Sequence, residues 1–152
     1  MAVITSWSVG DASRNTTITT SAGITRIRLD QPVVTPKPTP KTMKDSLHDS
    51  SAVFGVVYAN DLARVPISSA SKSRFPVGSI IVREKLLKAD DKEPELLAVM
   101  IKRERGYNPA GGDWSFLTVD GAMTRVQDLQ KKGSCLDCHK SQRDHDFVFA
   151  VK

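Results

Sequence analysis

The sequence has no long hydrophobic run, and none of its apolar stretches approaches the ~20 residues that a helix needs to cross a bilayer. The N-terminal stretch MAVITSWSVGDASRNTTITT also lacks the basic start, apolar core and small-residue cleavage site of a secretory signal. We therefore expect contact with a membrane to be indirect at most. We also expect that a signal has been removed or that the protein reaches its compartment by another route.

Most of the chain lacks an excess of positive charge, because basic and acidic residues nearly balance outside the N-terminal segment. Residues 1–44 contain six Lys or Arg against two Asp or Glu, whereas the remaining residues contain sixteen against fifteen. A nucleic-acid-binding domain would carry a basic stripe with stacking aromatic residues on its folded surface. The charge distribution therefore argues against nucleic acid as a partner.

The length favours one domain with an N-terminal arm, because 152 residues, 39% of them hydrophobic, can bury one ordinary core. The segment QPVVTPKPTPKT, residues 31–42, has four prolines. Proline fixes φ and removes a backbone donor, which predicts an extended linker here. The preceding NTTITTSAGITRIRL is rich in Thr and Ile and predicts a strand that pairs with another element or another subunit. We predict an extended arm and linker over residues 1–42 and a folded domain over residues 43–152.

Runs of β-forming residues dominate the predicted domain. They predict strands over residues 51–59, 75–87, 94–104, 113–121 and 146–152. Short helices are predicted over residues 60–65, after a capping Asn60, and over residues 122–132, before Gly133. Strands and helices do not alternate regularly, so we predict a mainly β or α+β fold with an antiparallel sheet and a few short helices.

Both cysteines lie in one motif, CLDCH, which consists of residues 135–139. In one interpretation Cys135 and Cys138 form thioether bonds to a heme and His139 ligates the iron. In a second they are half of a zinc site, although the chain offers only His48, His139 and His145 as further ligands of this kind and has no second Cys-x-x-Cys. In a third they form a redox dithiol, although such motifs follow the first strand of a βαβ unit. The spacing favours heme and leaves the other two interpretations open.

Several segments around this motif follow the order and spacing of a known family. They are Phe75, Gly78 and Ser79 in F-x-x-G-[ST]; Val82, Arg83 and Glu84 at a valine and Lys-Glu step; Gly112, Asp113, Trp114 and Phe116 in G-[DN]-W-x-[FY]; the CxxCH motif; and Asp146, Val148 and Phe149 in a closing D-x-V-F. Together they resemble the cytochrome P-460 family over roughly residues 48–150.

The resemblance implies a small antiparallel β protein with one covalent heme c, bonded to Cys135 and Cys138 and ligated by His139. It also implies a redox partner protein and a homodimer, and the N-terminal arm suggests docking into a larger complex. Heme c attachment normally takes place outside the bacterial cytoplasm or in the mitochondrial intermembrane space. We therefore predict a periplasmic or equivalent location.

Position 83 departs from the family members that oxidise hydroxylamine and nitric oxide, which bond a lysine to the porphyrin. Arg83 stays protonated and is a poor nucleophile. Lys85 shares its strand face but lies ~6.6 Å further along. We predict a cytochrome that transfers electrons or binds a small gas such as nitric oxide, with Arg83 and Lys85 as candidate heme contacts. The alternatives are an oxidoreductase acting on hydroxylamine or nitric oxide, and a heme-bearing subunit of a larger redox complex.

Other side chains have both a functional and an ordinary interpretation. His48 and His145 are second axial ligands or surface histidines, and Met100 is an iron ligand or a core residue. Trp114 and Phe116 line the heme or fill the core. Five basic residues either pair with heme propionates or form a lattice of cross-strand charge pairs. They are Arg83, Lys85, Lys102, Arg103 and Arg105.

Overall fold

The structure is a computed structural model that describes residues 54–69, 72–88, 90–122 and 124–150 in full. Further towards the N-terminus it describes the backbone of four strands: β1 (Val3–Gly10), β2 (Ser13–Thr20), β3 (Gly23–Leu29) and β4 (Pro32–Pro38). The first three form an antiparallel sheet of their own. The strand predicted in the Thr- and Ile-rich arm is thus present as β2 and β3, which pair with each other.

The main sheet is antiparallel and has the strand order β4-β5-β6-β7-β8-β9, so each strand pairs with its neighbour in sequence. Its further strands are β5 (Phe54–Ala59), β6 (Ile80–Leu86), β7 (Leu96–Lys102), β8 (Trp114–Asp120) and β9 (Val126–Gln130). Helix α1 (Asp61–Ser68) follows β5, and helix α2 (Ser134–His139) follows β9. Two 3-10 turns complete it, Pro109–Gly111 and Lys140–His145. The predicted fold class is confirmed.

The Pro-rich segment is extended, as predicted, but residues 32–38 pair with β5 instead of serving only as a linker. Proline cannot donate to a ladder, and it is tolerated at the edge of a sheet and at bulges. Strand β4 is at the edge, and its register with β5 shifts between Pro32 and Val34 and between Val34 and Lys37. The domain boundary at residue 42 stays a prediction.

Asn60 starts α1 as predicted and also ties the helix to the sheet. Its side-chain oxygen accepts hydrogen bonds from the backbone N–H of Ala63 and of Ile80, at 3.2 and 3.0 Å. Its side-chain amide donates to the carbonyl of Gly78 at 2.9 Å. In the part of the chain that the structure describes, every helix is too short or too polar to cross a membrane.

The helix predicted over residues 122–132 is wrong, because residues 126–130 form β9. Val126 and Leu129 have helical spacing, but the open edge of β8 offers backbone partners, and tertiary pairing outweighs a weak local preference. The turn before β9 is held by Asp120, whose carboxylate accepts hydrogen bonds from the backbone N–H of Thr124 and Arg125. A β-hairpin therefore precedes the CxxCH helix.

The closing strand predicted over residues 146–152 is wrong for residues 146–150, which form a turn and irregular chain; residues 151 and 152 lie outside the described residues. Asp146 and Phe147 have positive φ angles of 51° and 66°. Two successive left-handed residues turn the chain and are incompatible with a strand.

Both faces of strands β5 to β8 are largely buried. One face carries the first core cluster, which includes Tyr58, Val82, Val99 and Leu117. The other carries the second cluster, to which both helices contribute: Ala63 and Ile67 from α1, and Leu136 from α2. The second face is therefore the one on which the CxxCH motif lies.

Candidate heme site

Helix α2 contains the whole CxxCH motif. Cys135, Cys138 and His139 have the i, i+3, i+4 spacing that brings side chains to one side of a helix. Leu136 and His139 are buried, and both cysteines are half-buried. Leu136 anchors the helix in the second cluster, so the thiols and the imidazole have a fixed position at the sheet.

The His139 ring is held in one orientation. Its Nδ1 lies 2.7 Å from the backbone carbonyl oxygen of Phe147. A carbonyl only accepts, so Nδ1 carries the proton, and on the neutral ring the lone pair is on Nε2. The rings of Phe116 and Phe149 lie 5.4 and 5.2 Å from the imidazole. Burial lowers the pKa of His139, partly opposed by the Phe147 hydrogen bond, which favours the neutral, metal-ligating form at neutral pH.

Asp146 fixes the turn that supplies the Phe147 carbonyl. Its carboxylate is buried and accepts hydrogen bonds from Lys102 Nζ at 2.7 Å and from the Phe75 N–H at 2.9 Å. Its own carbonyl accepts from the indole N–H of Trp114 at 2.7 Å. Side chains from β7 and β8 and the chain before β6 thus converge on the residue next to Phe147. The sheet thereby orients the histidine through its backbone partner.

Gly112 allows the Phe147 ring to pack against the same turn. A Cβ atom at position 112 would lie 2.6 Å from Cδ2 of Phe147, and the residue has a φ angle of 63°. Only glycine takes up both this conformation and this close approach without strain.

The two cysteines are free thiols. Burial raises the pKa of Cys135, with a contribution from the charge of Asp128, and burial raises the pKa of Cys138. A redox dithiol typically has a lowered thiol pKa, so the raised pKa of both thiols argues against the redox interpretation. Among the described residues, no group of three or more His, Cys, Asp or Glu is placed to hold a metal ion, which gives the zinc interpretation no support.

Arg83 and Lys85 lie on the same sheet face as the motif. Arg83 pairs with Val57 on one side and Ala98 on the other, one row along from the Ile81, Met100 and Phe116 row. The Arg83 guanidinium lies over the backbone of β5: a Cβ atom at Gly55 would lie 2.5 Å from its Nε. Burial lowers the pKa of Arg83. The structure thus brings this cation to the face that the CxxCH helix covers.

Lys85 is only 4% exposed and forms an ion pair with Glu95, with 3.6 Å between Nζ and Oε2. Its paired residues, Gly55 and Leu96, belong to the next row beyond Arg83. An amine attacks carbon only through a free lone pair, whereas this one faces a carboxylate. The ion pair therefore argues against a Lys85 bond to the porphyrin.

The other candidate residues from the sequence lie in different environments. Met100 and Trp114 are core residues of the second cluster, and Phe116 both fills that cluster and contacts His139. His145 is half-buried, with Nδ1 2.8 Å from the Val148 carbonyl and its ring against Phe75. Lys102 binds Asp146, while Arg103 and Arg105 lie in the loop after β7. His48 lies outside the described residues.

Sequence reasoning missed the Lys102–Asp146 pair. The only signal was the position of Asp146 in the closing D-x-V-F pattern, for which a strand was predicted.

Comparison with known proteins decides the family. The model of the cytochrome P-460 family matches residues 37–150, about three quarters of the chain. The chain belongs to the cytochrome P-460 family. It is therefore a heme-binding cytochrome. No curated protein matches the chain.

Proposed function

We propose that this cytochrome P-460 protein is a mono-heme c-type cytochrome that transfers electrons or binds a small uncharged gas such as nitric oxide. The observation that carries the proposal is the oriented His139 imidazole, buried beside two free thiols on one side of a short helix. A covalent heme needs two such thiols, an adjacent nitrogen ligand and an apolar wall.

The side chains present fit that group. Cys135 and Cys138 would supply the thioether bonds, and Nε2 of His139 would ligate the iron. Phe116 and Met100, on the facing row of the sheet, supply an apolar wall. When bound, the heme supplies a reversible one-electron change at iron and a coordination position for a gas.

The protein contributes orientation, low polarity and charge. The Phe147 carbonyl holds the His139 N–H and so raises the basicity of the ligating nitrogen. Arg83 brings a cation to the same face, and we propose that it and Lys85 stabilise the heme propionates or a partly negative ligand.

Electron transfer or gas binding is favoured over hydroxylamine oxidation by the environments of the two candidate nucleophiles. Arg83 is a poor nucleophile, and Lys85 is ion-paired. We also propose a periplasmic or equivalent location and a redox partner protein, with a homodimer or a larger complex as the assembly.

Covalent attachment predicts that denatured, acid-extracted protein keeps its colour and that its mass exceeds the chain mass by one heme. The double substitution Cys135→Ser with Cys138→Ser should make the heme fully extractable, and each single substitution should leave one thioether. The matched control is Met100→Leu, which keeps both bonds. A wild-type heme that extracts completely would contradict the proposal.

The lack of a lysine cross-link predicts that proteolysis of the holoprotein releases one heme peptide, which contains Cys135 and Cys138 only. The Soret band of the reduced protein should lack the red shift that gives the family its name, and hydroxylamine should not be oxidised. Lys85→Met should leave the heme peptide that proteolysis releases unchanged. A heme-linked fragment that includes residues 84–88 would instead support the hydroxylamine-oxidising alternative.

A further inference from the structure

An open cleft of about 990 Å³ lies beside the turn that contains Asp146 and Phe147. Its wall includes Asp146 and Phe147, the two residues of the left-handed turn. Phe147 therefore faces the cleft and also binds the imidazole through its carbonyl at 2.7 Å. The cleft is separated from the axial ligand by a single residue.

The charge around the cleft is predominantly positive. Five cationic side chains and three carboxylates line it, and two of the carboxylates are already paired: Asp146 with Lys102 and, at 3.9 Å, with Arg74, and Asp144 with Lys72. The third, Asp113, accepts hydrogen bonds from the backbone N–H of Gly106 and Asn108. The exposed excess is carried by Arg105 and Arg143.

This excess is local. Outside residues 1–44 the chain has sixteen Lys or Arg against fifteen Asp or Glu, so a cluster of arginines stands out against a nearly neutral body. The Arg143 guanidinium lies 5.9 Å from the centre of the Phe147 ring, directly beside the turn. A positive rim of this kind attracts and orients a negatively charged partner.

We propose that this cleft is the docking site of an acidic one-electron carrier protein, which delivers its electron at Phe147, next to His139. The inference rests on the proposed function and specifies its partner. One electron would leave the carrier, which is oxidised, and the heme that His139 would hold would take it up and be reduced; no covalent bond would form or break. The cleft sets the position of the carrier, and the Phe147–His139 hydrogen bond links the two.

The test uses the heme-loaded full chain and a plant-type [2Fe–2S] ferredoxin as the acidic one-electron probe. The double variant Arg105→Glu with Arg143→Glu reverses two charges at the cleft. Its matched control, Lys88→Glu with Arg125→Glu, changes the net charge equally at exposed positions at the opposite end of the strands. At low salt, the cleft variant should lower the second-order rate of heme reduction at least ~10-fold, the lower end of what electrostatic steering supplies. The control should stay within ~2-fold of wild type, and high salt should remove the difference.

Binding is measured separately, by calorimetric titration of the oxidised protein with oxidised ferredoxin. Weaker binding by the cleft variant alone supports the proposal, whereas equal losses in both variants show a net-charge effect and overturn it. A second rate is measured with a small anion in place of the carrier protein, by oxidising the ferrous protein with hexacyanoferrate(III). If the cleft variant slows it as much as it slows ferredoxin, the cleft is a general anion site, which also overturns the proposal. Failure of the proposed function would instead appear as missing covalent heme before any carrier is added.

Discussion

Replacing His139 with alanine is expected to remove the axial nitrogen from the heme iron while the thioether bonds to Cys135 and Cys138 remain. The reason is that the Nδ1–H of His139 donates to the Phe147 carbonyl, which leaves Nε2 as the ring nitrogen that can ligate a metal. The visible spectrum of the ferric protein should change to that of iron without a proximal imidazole, and added imidazole should restore it. Mass spectrometry measures the heme content of each preparation, and the spectra are compared per heme-loaded chain.

His145→Ala is the matched control for this experiment. His145 lies six residues further along the same segment, is half-buried, and also has Nδ1 against a backbone carbonyl, that of Val148. Its substitution should leave the spectrum unchanged. A normal spectrum for His139→Ala, or loss of the axial ligand in His145→Ala, would contradict the assignment of the ligand.

Replacing Asp146 with alanine is expected to lower the free energy of unfolding by about 3–5 kcal/mol, because it leaves the largely buried ammonium of Lys102 without its carboxylate. It also removes the acceptor of the Phe75 N–H. The urea midpoint should fall by roughly 1 M or more, which follows from the usual slope for small proteins. Chemical denaturation followed by tryptophan fluorescence measures the change.

Asp144→Ala is the control for Asp146→Ala. Asp144 also forms an ion pair with a lysine, Lys72, but both side chains are about four-fifths exposed. An exposed pair of this kind contributes about 0–1 kcal/mol. If both variants lost a similar free energy of unfolding, burial of the Lys102–Asp146 pair would not be the cause of its contribution to stability.

The parts of the fold that could be predicted are those in which the local pattern and the tertiary environment agree. Strands β5 to β8 have apolar, β-forming sequences and lie in the middle of a sheet that is covered on both faces, and Asn60 is a good helix cap. Residues 126–130 were mistaken for a helix because their strand character comes from the free edge of β8, which the segment itself does not reveal.

The candidate site was predictable to the same extent. CxxCH identified the residues for which we propose heme attachment, because the chemistry of attachment requires that order and spacing. The Phe147 carbonyl and the Lys102–Asp146 pair were not predictable, because a backbone acceptor leaves no mark on the sequence and partners 44 residues apart meet only in the folded chain.

The alternation of the two core clusters across the main sheet divides the protein into two parts that can be altered separately. In β7, odd-numbered Leu97, Val99 and Ile101 belong to the first cluster, whereas even-numbered Met100 belongs to the second, next to the CxxCH helix. Substitutions at these odd positions therefore act on the first cluster, whereas a substitution at Met100 acts on the cluster beside the CxxCH helix. A protein engineer can use this separation to vary the motif side of the sheet at Met100, and compensate for lost stability at the odd positions.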